Sequence, residues 1–419
     1  MIICLKGLRK GINMVEFKWE TEFKQTEIGE IPREWGVKSI GQITKEAIVG
    51  STPLRRIKEY WGKGTIPWLT NKEVQYNQIN FIEDTEEKIT PYALKRTNLK
   101  LIPPFSLIVS FTASVGKVAI NKIPITTNQQ FISFVLNNKE DIKFYAYYLL
   151  LSRELIESFS GATPFSFITK EKASQIPIPH PSPTEQTRIA TVLSWFDDLI
   201  ENKKRQNEIL EKVAMAIFKS WFVDFEPFKD EKFVYNEELG KEIPKGWEVK
   251  AIGEVVDILY GKGLPESKRK NGSFPVVGSS GIVGYHAQFL ATPPSIVIGR
   301  KGNAGSVYLM LEPFYPIDTV FYTGKTTPAI TFYIYHHLKL TPLAEIGMTD
   351  TAVPGININN LKAVKISIPP QPILQHFHSL VEPLFQKIIL NQKQIMVLRK
   401  IRDALLPKLV FGKLRVVEI

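Results

Sequence analysis

Four groups of residues in this 419-residue chain have the types and spacing that chemistry would need. The first is a Gly-interrupted basic run, Arg300-Lys301-Gly302-Asn303. A guanidinium can bridge the O6/N7 edge of a guanine or clamp a phosphate, and glycine lets a backbone approach closely. The same run also reads as a surface β-turn with solvated charges. The second is His376-x-His378, which with His336-His337 makes the close pairs among six histidines. Two positions apart on a helix they point to different faces, and exposed or capping roles are expected rather than metal ligation. The third, Asp224-Phe225-Glu226, has a nuclease-like carboxylate spacing but falls just past a helix end, where Asp and Glu are ordinary loop residues. The fourth, Ile102-Pro103-Pro104-Phe105, has the Pro-Pro-aromatic part of an adenine methyltransferase loop. It lacks the polar first residue that would accept the base's amino hydrogen, and reads as a turn leading into a strand. No G-x-x-x-x-G-K-[ST] loop occurs and no G-x-G-x-x-G follows a strand, so ATP and dinucleotide sites are unsupported. The catalytic inventory is empty.

Composition narrows the class. Hydrophobic residues make up 44% and charged residues 23%, ordinary for a globular chain that buries a core. At about 100–200 residues per domain, two or three domains are expected. The charge balance is 53 basic against 42 acidic, or +11, which points towards polyanions. The single cysteine, Cys4, excludes an intramolecular disulfide and Cys-based zinc fingers, and fits a reducing, cytoplasmic setting. The longest uncharged stretch, residues 271–299, is broken by Gly and Pro and cannot be a spanning helix. Residues 1–13 read as an appended leader, with Met14 rather than Met1 as a candidate start.

The elements that must position these residues come in two copies. Residues 30–41 read EIPREWGVKSIG and residues 242–253 read EIPKGWEVKAIG, with eight of twelve positions identical. IVSFTASVGKV (108–118) corresponds to VIGRKGNAGSV (297–307), and IPIPHPSP (176–183) to ISIPPQP (366–372). Each copy reads as a mixed α/β unit: β-rich runs at 105–110, 117–120 and 131–136, and at 295–298 and 306–309, are separated by turn residues. Each copy ends in a long helical segment, about 184–222 and 373–411. Ser182-Pro183-Thr184-Glu185 supplies a cap, a Pro at the first turn and a Glu at its third position. Ile189, Leu193, Phe196, Ile200, Lys203, Asn207, Leu210, Ala214, Ile217 and Trp221 then step by four and three. Phe377, Val381, Leu384, Ile388, Asn391, Ile395, Leu398, Arg402, Leu405 and Leu409 do the same. Both are heptad seams with an Asn near the middle, which favours an antiparallel pair formed by the two helices. Packing of each helix on its own unit is the alternative. Pro383 and Pro407 interrupt the second seam, so that helix is expected to begin or bend at Pro383.

This ordered set resembles the specificity subunit of type I restriction–modification enzymes over about residues 25–415. The matching pieces are EIGEIPREWGVKSIG, GSTP with EYWGKGTIPWLT (50–70), TTNQQF (126–131) and the long run 176–225. In the second half they are IPKGWEVKAIG, VVGSSGIVGYH (276–286) and IGRKGNAG (298–305). The resemblance implies an α/β chain of two tandem target-recognition domains of mixed fold, separated by two long helices packed as an antiparallel coiled-coil pair. The expected layout is an N-terminal extension (1–25), a first recognition domain (26–180), a central helical region (181–230), a second recognition domain (231–370) and a C-terminal helical region (371–419). It implies no catalysis in this chain. The partners would be double-stranded DNA, methyltransferase subunits that bring S-adenosylmethionine, and restriction subunits with ATP and Mg able to join; no membrane is involved. The subunit would bind a bipartite, asymmetric site and direct adenine methylation. A helix over 183–221 would be ~58 Å long at ~1.5 Å per residue, about 17 base pairs of duplex. The rival readings are a free-standing methyltransferase or nuclease with an unrecognised site, and a scaffold that pairs proteins without reading DNA.

Under that resemblance the candidate DNA contacts fall in turns and loops. In the second unit they are Arg300, Lys301 and Asn303, with Tyr260, Lys262, Lys268, Arg269 and Lys270 as phosphate contacts. In the first unit they are Ser51, Thr52, Arg55, Arg56 and Lys58, then Thr70, Asn71 and Lys72. Thr112 and Ser114 occupy the position of the Arg300 loop without its charges. Asn128 and Gln129 could meet adenine edges or satisfy a buried turn. Residues 181–230 carry seven basic and nine acidic side chains, and 371–419 carry eight and three, so the first helical region is the better protein-binding surface. Phe218, Trp221, Phe222 and Phe225 at its end could contact a methyltransferase subunit, or pack on the other helix or the adjoining domain.

Overall fold

A computed structural model describes residues 2–6, 12–139, 142–159, 168–345 and 355–418. The chain forms two compact units, residues 1–202 together with 394–419, and residues 203–393. Each is built on the same plan.

In the first unit a five-stranded sheet runs in the order Thr44–Val49, Phe131–Leu136, Leu107–Ser110, Val118–Asn121, Ile79–Ile82. The second has Ile258–Tyr260, Val320–Thr323, Ser295–Gly299 and Val307–Met310 in the equivalent order, with no counterpart to Ile79–Ile82 among the described residues. A smaller sheet accompanies each, containing a parallel pair: Thr126–Thr127 with Ile66–Leu69, and Tyr315–Pro316 with Phe274–Gly278. The β-rich runs of the sequence thus become strands within a residue or two of their expected ends. Several are apolar on both faces, such as Leu107–Ser110 and Ser295–Gly299, because helices cover one face and the smaller sheet the other. The repeated opening motif places Trp35 and Trp247 in the two cores, and pairs Gly36–Ser39 with Pro177–His180 and Glu248–Ala251 with Lys365–Ile368.

The helical segments are two helices of 40 residues each, Pro183–Phe222 and Gln371–Val410. The first contributes 183–202 to the first unit and 203–222 to the second; the other contributes 371–393 to the second and 394–410 to the first. Their seam residues lie inside, with Ile189, Leu193, Ala214, Phe377, Val381 and Leu409 all essentially inaccessible. The pairing is antiparallel within each unit: Asp197 meets Arg402 in the first, and Asn207 and Phe222 meet Asn391 and Phe377 in the second. Asn391 is fully buried and donates to Asn207 Oδ1 at 2.9 Å and Gln206 Oε1 at 3.3 Å, while Lys203 donates to its carbonyl at 3.4 Å. The second helix begins at Gln371, twelve residues before Pro383. An interior Pro costs about 3 kcal/mol, and burial of Phe377 and Val381, each worth roughly 1.5–3 kcal/mol, is large enough to extend the helix past it.

The ends of the described chain join the first unit. Ile12–Trp19 pairs antiparallel with Ile2–Lys6 on one side and Leu414–Glu418 on the other. Of the suggested leader, Met1 and residues 7–11 lie outside the described residues. Arg415 gathers Glu20 and Glu34 at 2.5 Å and Glu185 at 2.8 Å, and Trp35 Nε1 donates to Glu185 at 2.9 Å. Glu185 therefore serves this buried cluster rather than reaching back to the backbone of its capping residue, although Ser182 still accepts from the Glu185 N–H at 3.4 Å.

Candidate nucleic-acid interface

In the second unit Arg300 directly follows the central strand Ser295–Gly299. Its N–H donates to Thr319 O at 2.9 Å and its carbonyl accepts from Ile356 at 3.1 Å, so the backbone is fixed on both sides. The guanidinium donates to Asp318 O at 3.3 Å and lies 5.1 Å from the Tyr260 ring and 5.8 Å from Phe321. Of its five N–H groups, one bond is made among the described residues, and the stacked head keeps donors for an outside acceptor. Lys301, Gly302 and Asn303 are exposed beyond it. Gly302 has φ +76°, and a side chain there would press on Ser279 Oγ at 3.3 Å. Gly261 sits against Ile317 O and Lys262 donates its N–H to Pro316 O at 3.0 Å. Tyr260, Lys262 and the Arg300 loop are thereby brought to one end of the sheet. The basic triplet lies on a different loop. Arg269 staples it to the strand Gly281–His286, donating to Val283 O at 2.7 Å and Leu264 O at 3.4 Å, while Lys268 and Lys270 stay exposed.

The first unit repeats the frame with other side chains. Gly50 sits on Asn128 O as Gly261 does on Ile317 O, and Ser51 donates to Thr127 O at 2.9 Å as Lys262 does to Pro316 O. Phe111 donates its N–H to Gln130 O as Arg300 does to Thr319 O, yet its ring is buried against Phe134. Thr112 and Ser114 follow, half-buried, in a tight loop with Ala113 at φ 61°. Thr52 bonds the exposed Gln129. Asn128 is buried and closes its own turn, accepting from the Gln130 N–H at 3.0 Å and donating to its side chain at 3.1 Å. Of the two roles open to Asn128, the turn accounts for its bonds. Thr70 donates twice to Glu73; Asn71 is buried; Lys72 is exposed. Arg55 is committed within its own unit: it pairs with Glu87 and stacks 3.8 Å from the Trp61 ring and 4.9 Å from Trp68. That pairing holds the Glu87 carboxyl below its ordinary value. Arg56 and Lys58 remain exposed.

Three residues that the sequence did not single out join this surface. Lys117 and Arg153 each lie 5.1 Å from the ring of Tyr76, and Lys117 donates to Asn71 O at 2.7 Å. Lys117 stands directly after the Gly116 turn that closes the 112–116 loop, which was a local signal. Tyr76 and Arg153 come from distant segments and carried none.

The aromatic group at the end of the first long helix is interior. Phe218, Phe222 and Phe225 are buried, with Phe218 stacked 5.5 Å from His336 and Phe222 edge-on to Tyr333 and Phe377 at 4.9 and 5.0 Å. Trp221 alone is half-exposed, edge-on to His376 at 5.1 Å. A buried ring offers no surface to a docking protein, so packing on the other helix and its own unit accounts for three of these four side chains. Asp224 and Glu226 belong to the turn after the helix, where Glu226 pairs with Lys229. Ile102–Phe105 is the turn into Leu107–Ser110, with Phe105 N–H donating to Asn121 O at 2.7 Å. Among the described residues no group of three or more His, Cys, Asp or Glu is placed to hold a metal.

Comparison with known proteins fits this duplicated frame. The profile of the type I restriction modification DNA specificity domain matches residues 32–212 and again 244–400. The chain is 44% identical to the type I restriction enzyme MjaIX specificity subunit of Methanocaldococcus jannaschii, over 97% of this chain and 99% of that one. It is 24% identical to the EcoprrI specificity subunit of Escherichia coli, over 76% and 80%. Its fold is similar to the crystal structure of the S subunit of a type I restriction–modification system from M. genitalium, with a TM-score of 0.54, 20% identity, and coverage of 90% and 96%. With two profile matches falling on its two repeats, the chain belongs to the specificity subunits of type I restriction–modification enzymes, the subunits that recognise DNA sequence.

Proposed function

We propose that this chain reads a bipartite, asymmetric DNA site, one half with each recognition domain (26–180 and 231–370), and directs adenine methylation there by partner methyltransferase subunits in the cytoplasm. Restriction subunits would act from the same site. The observation that carries the reading is one backbone frame with different occupants: Phe111, Thr112 and Ser114 stand in the first unit where Arg300, Lys301 and Asn303 stand in the second. A shared frame suits one class of ligand, duplex DNA, and unlike side chains suit unlike base sequences. The exposed Lys72, Arg56 and Lys58 of the first unit and Lys262, Lys268 and Lys270 of the second would neutralise phosphates. S-adenosylmethionine, ATP and Mg belong to the partners in this reading. The two long helices would set the spacing of the half-sites.

The test is methylome sequencing of a host carrying the cognate methyltransferase subunit, with and without this gene. A split adenine-methylation motif that appears only with the gene is the expected result. Arg300→Ala should relax one half-site and leave the other intact, by about 5- to 150-fold for a lost bidentate base contact. Methylation indifferent to this gene would overturn the reading.

A further inference from the structure

Arg402 lies eight residues before the end of the helix Gln371–Val410, which no sequence argument connects to base reading. It is 6% exposed, at a seam position where the first helix has, counting back from the two seam ends, the small residue Ala214. A buried guanidinium is tolerated only when its donors are satisfied, and here three groups from different parts of the first unit meet it. Nη1 donates to Asp197 Oδ1 at 2.6 Å, and Nε and Nη2 donate to Asp403 Oδ1 at 2.9 and 2.8 Å. Asp197 is itself held by the hydroxyl of buried Tyr147 at 2.5 Å. The remaining bond leaves the helix pair altogether: Nη2 donates to the carbonyl of Asn77 at 3.0 Å.

Asn77 sits near the end of segment 70–78, which joins strand Ile66–Leu69 to strand Ile79–Ile82 and carries Thr70, Asn71, Lys72 and Tyr76. The segment has no strand or helix of its own, so side chains hold its backbone. Glu73 accepts from the N–H of Thr70 and of Glu86, both at 2.8 Å. Asn80 brackets Gln75, accepting from its N–H at 3.0 Å and donating to its carbonyl at 2.9 Å. Lys117 takes the Asn71 carbonyl, and Arg402 takes that of Asn77, where φ is +59°. Arg402 is the one of these ties that comes from the long helices.

We propose that Arg402 is a positioning residue for DNA reading by the first unit: it anchors the 70–78 loop to the helix pair and so tunes one half-site without touching DNA. The proposal rests on the half-site reading given above. Lysine in its place would keep a charge for Asp197, but a single ammonium lacks the planar fork that reaches Asp197, Asp403 and Asn77 together.

The experiment is the methylation motif written by the full chain with Arg402→Lys, co-expressed with its methyltransferase subunit. Discrimination should fall about three- to tenfold at one half-site only, the one left intact by Arg300→Ala, as fits one lost hydrogen bond. Amide exchange should quicken at residues 76–78 and not along the helices. Equal relaxation of both half-sites, or of neither, overturns the proposal. Should Arg402→Lys fail to fold, Asn77→Val, whose β-branched side chain disfavours φ +59°, draws the same carbonyl away from Arg402 while leaving the buried pair untouched; relaxation at that half-site supports the anchor, and an unchanged motif overturns it. A wild-type chain that writes no split motif would instead overturn the half-site reading itself.

Discussion

Gly50 and Gly261 stand at the same point of two otherwise different loops, and for the same reason. A Cβ on either would lie 2.0 Å from a backbone oxygen, that of Asn128 or of Ile317, far inside any real contact. Since the obstacle is backbone, alanine should force the loop off the sheet. Gly50→Ala and Gly261→Ala are each expected to destabilise their own unit by about 1–3 kcal/mol, read as a lowered melting temperature. An unchanged melting temperature for both would show that the frame yields. The residue scale is also where the sequence was least legible. The loops could be located because Gly and small polar residues punctuate β-rich runs. Which side chain in a loop faces outward depends on partners far away in the chain. Arg55 looks like any surface cation until Glu87, Trp61 and Trp68 fold around it, and Asn128 looks like a base reader until its turn closes on Gln130. Tyr76 with Lys117 and Arg153 assembles from three separate segments.

Elements were far more legible, because heptad spacing is a local property that survives into the fold. All the residues placed on the two seams lie in the interior or half-buried, including the polar Lys203, Asn207, Asn391 and Arg402. Sheet order is not legible, since it depends on pairing between distant strands; the second helix spans the segment its heptads mark, about 373–411, and does not begin at Pro383 because local breaking there is outweighed by tertiary burial. The helix Pro328–Leu340 carries a further consequence of burial. His336 donates through Nδ1 to Phe332 O at 2.7 Å and stacks on Phe218, and desolvation pushes its pKa down to about 4. Above its ordinary value of 6.5 the ring is neutral folded or unfolded. Below it, only the unfolded chain takes up the proton, so stability falls as pH drops from 6.5 towards about 4. His336→Gln should reduce that slope in melting temperatures recorded across this range, leaving the share of His337, whose pKa burial likewise pushes down to about 4. An identical slope in the variant would assign the acid sensitivity elsewhere.

At the scale of the whole molecule, both long helices belong to both units. If they set the half-site spacing, one heptad added to each, at matching seam positions, preserves the seam and adds about 10.5 Å of helix. The methylated motif should then keep both half-sites and gain about three base pairs of spacer at ~3.4 Å each. Altered half-sites with an unchanged spacer would contradict a ruler. The division of the chain has another effect, on the order of manufacture. The first unit needs residues 394–418 to cover Ile189, Leu193 and Phe196 and to supply Arg415 to Glu20 and Glu185. On the ribosome those residues follow the whole of the second unit, roughly 190 residues later, a delay of about 10–40 s at 5–20 residues per second. The unit translated first is thus the last to be finished, and until then its apolar helix face stands open to a chaperone, or to the helix of a neighbouring nascent chain.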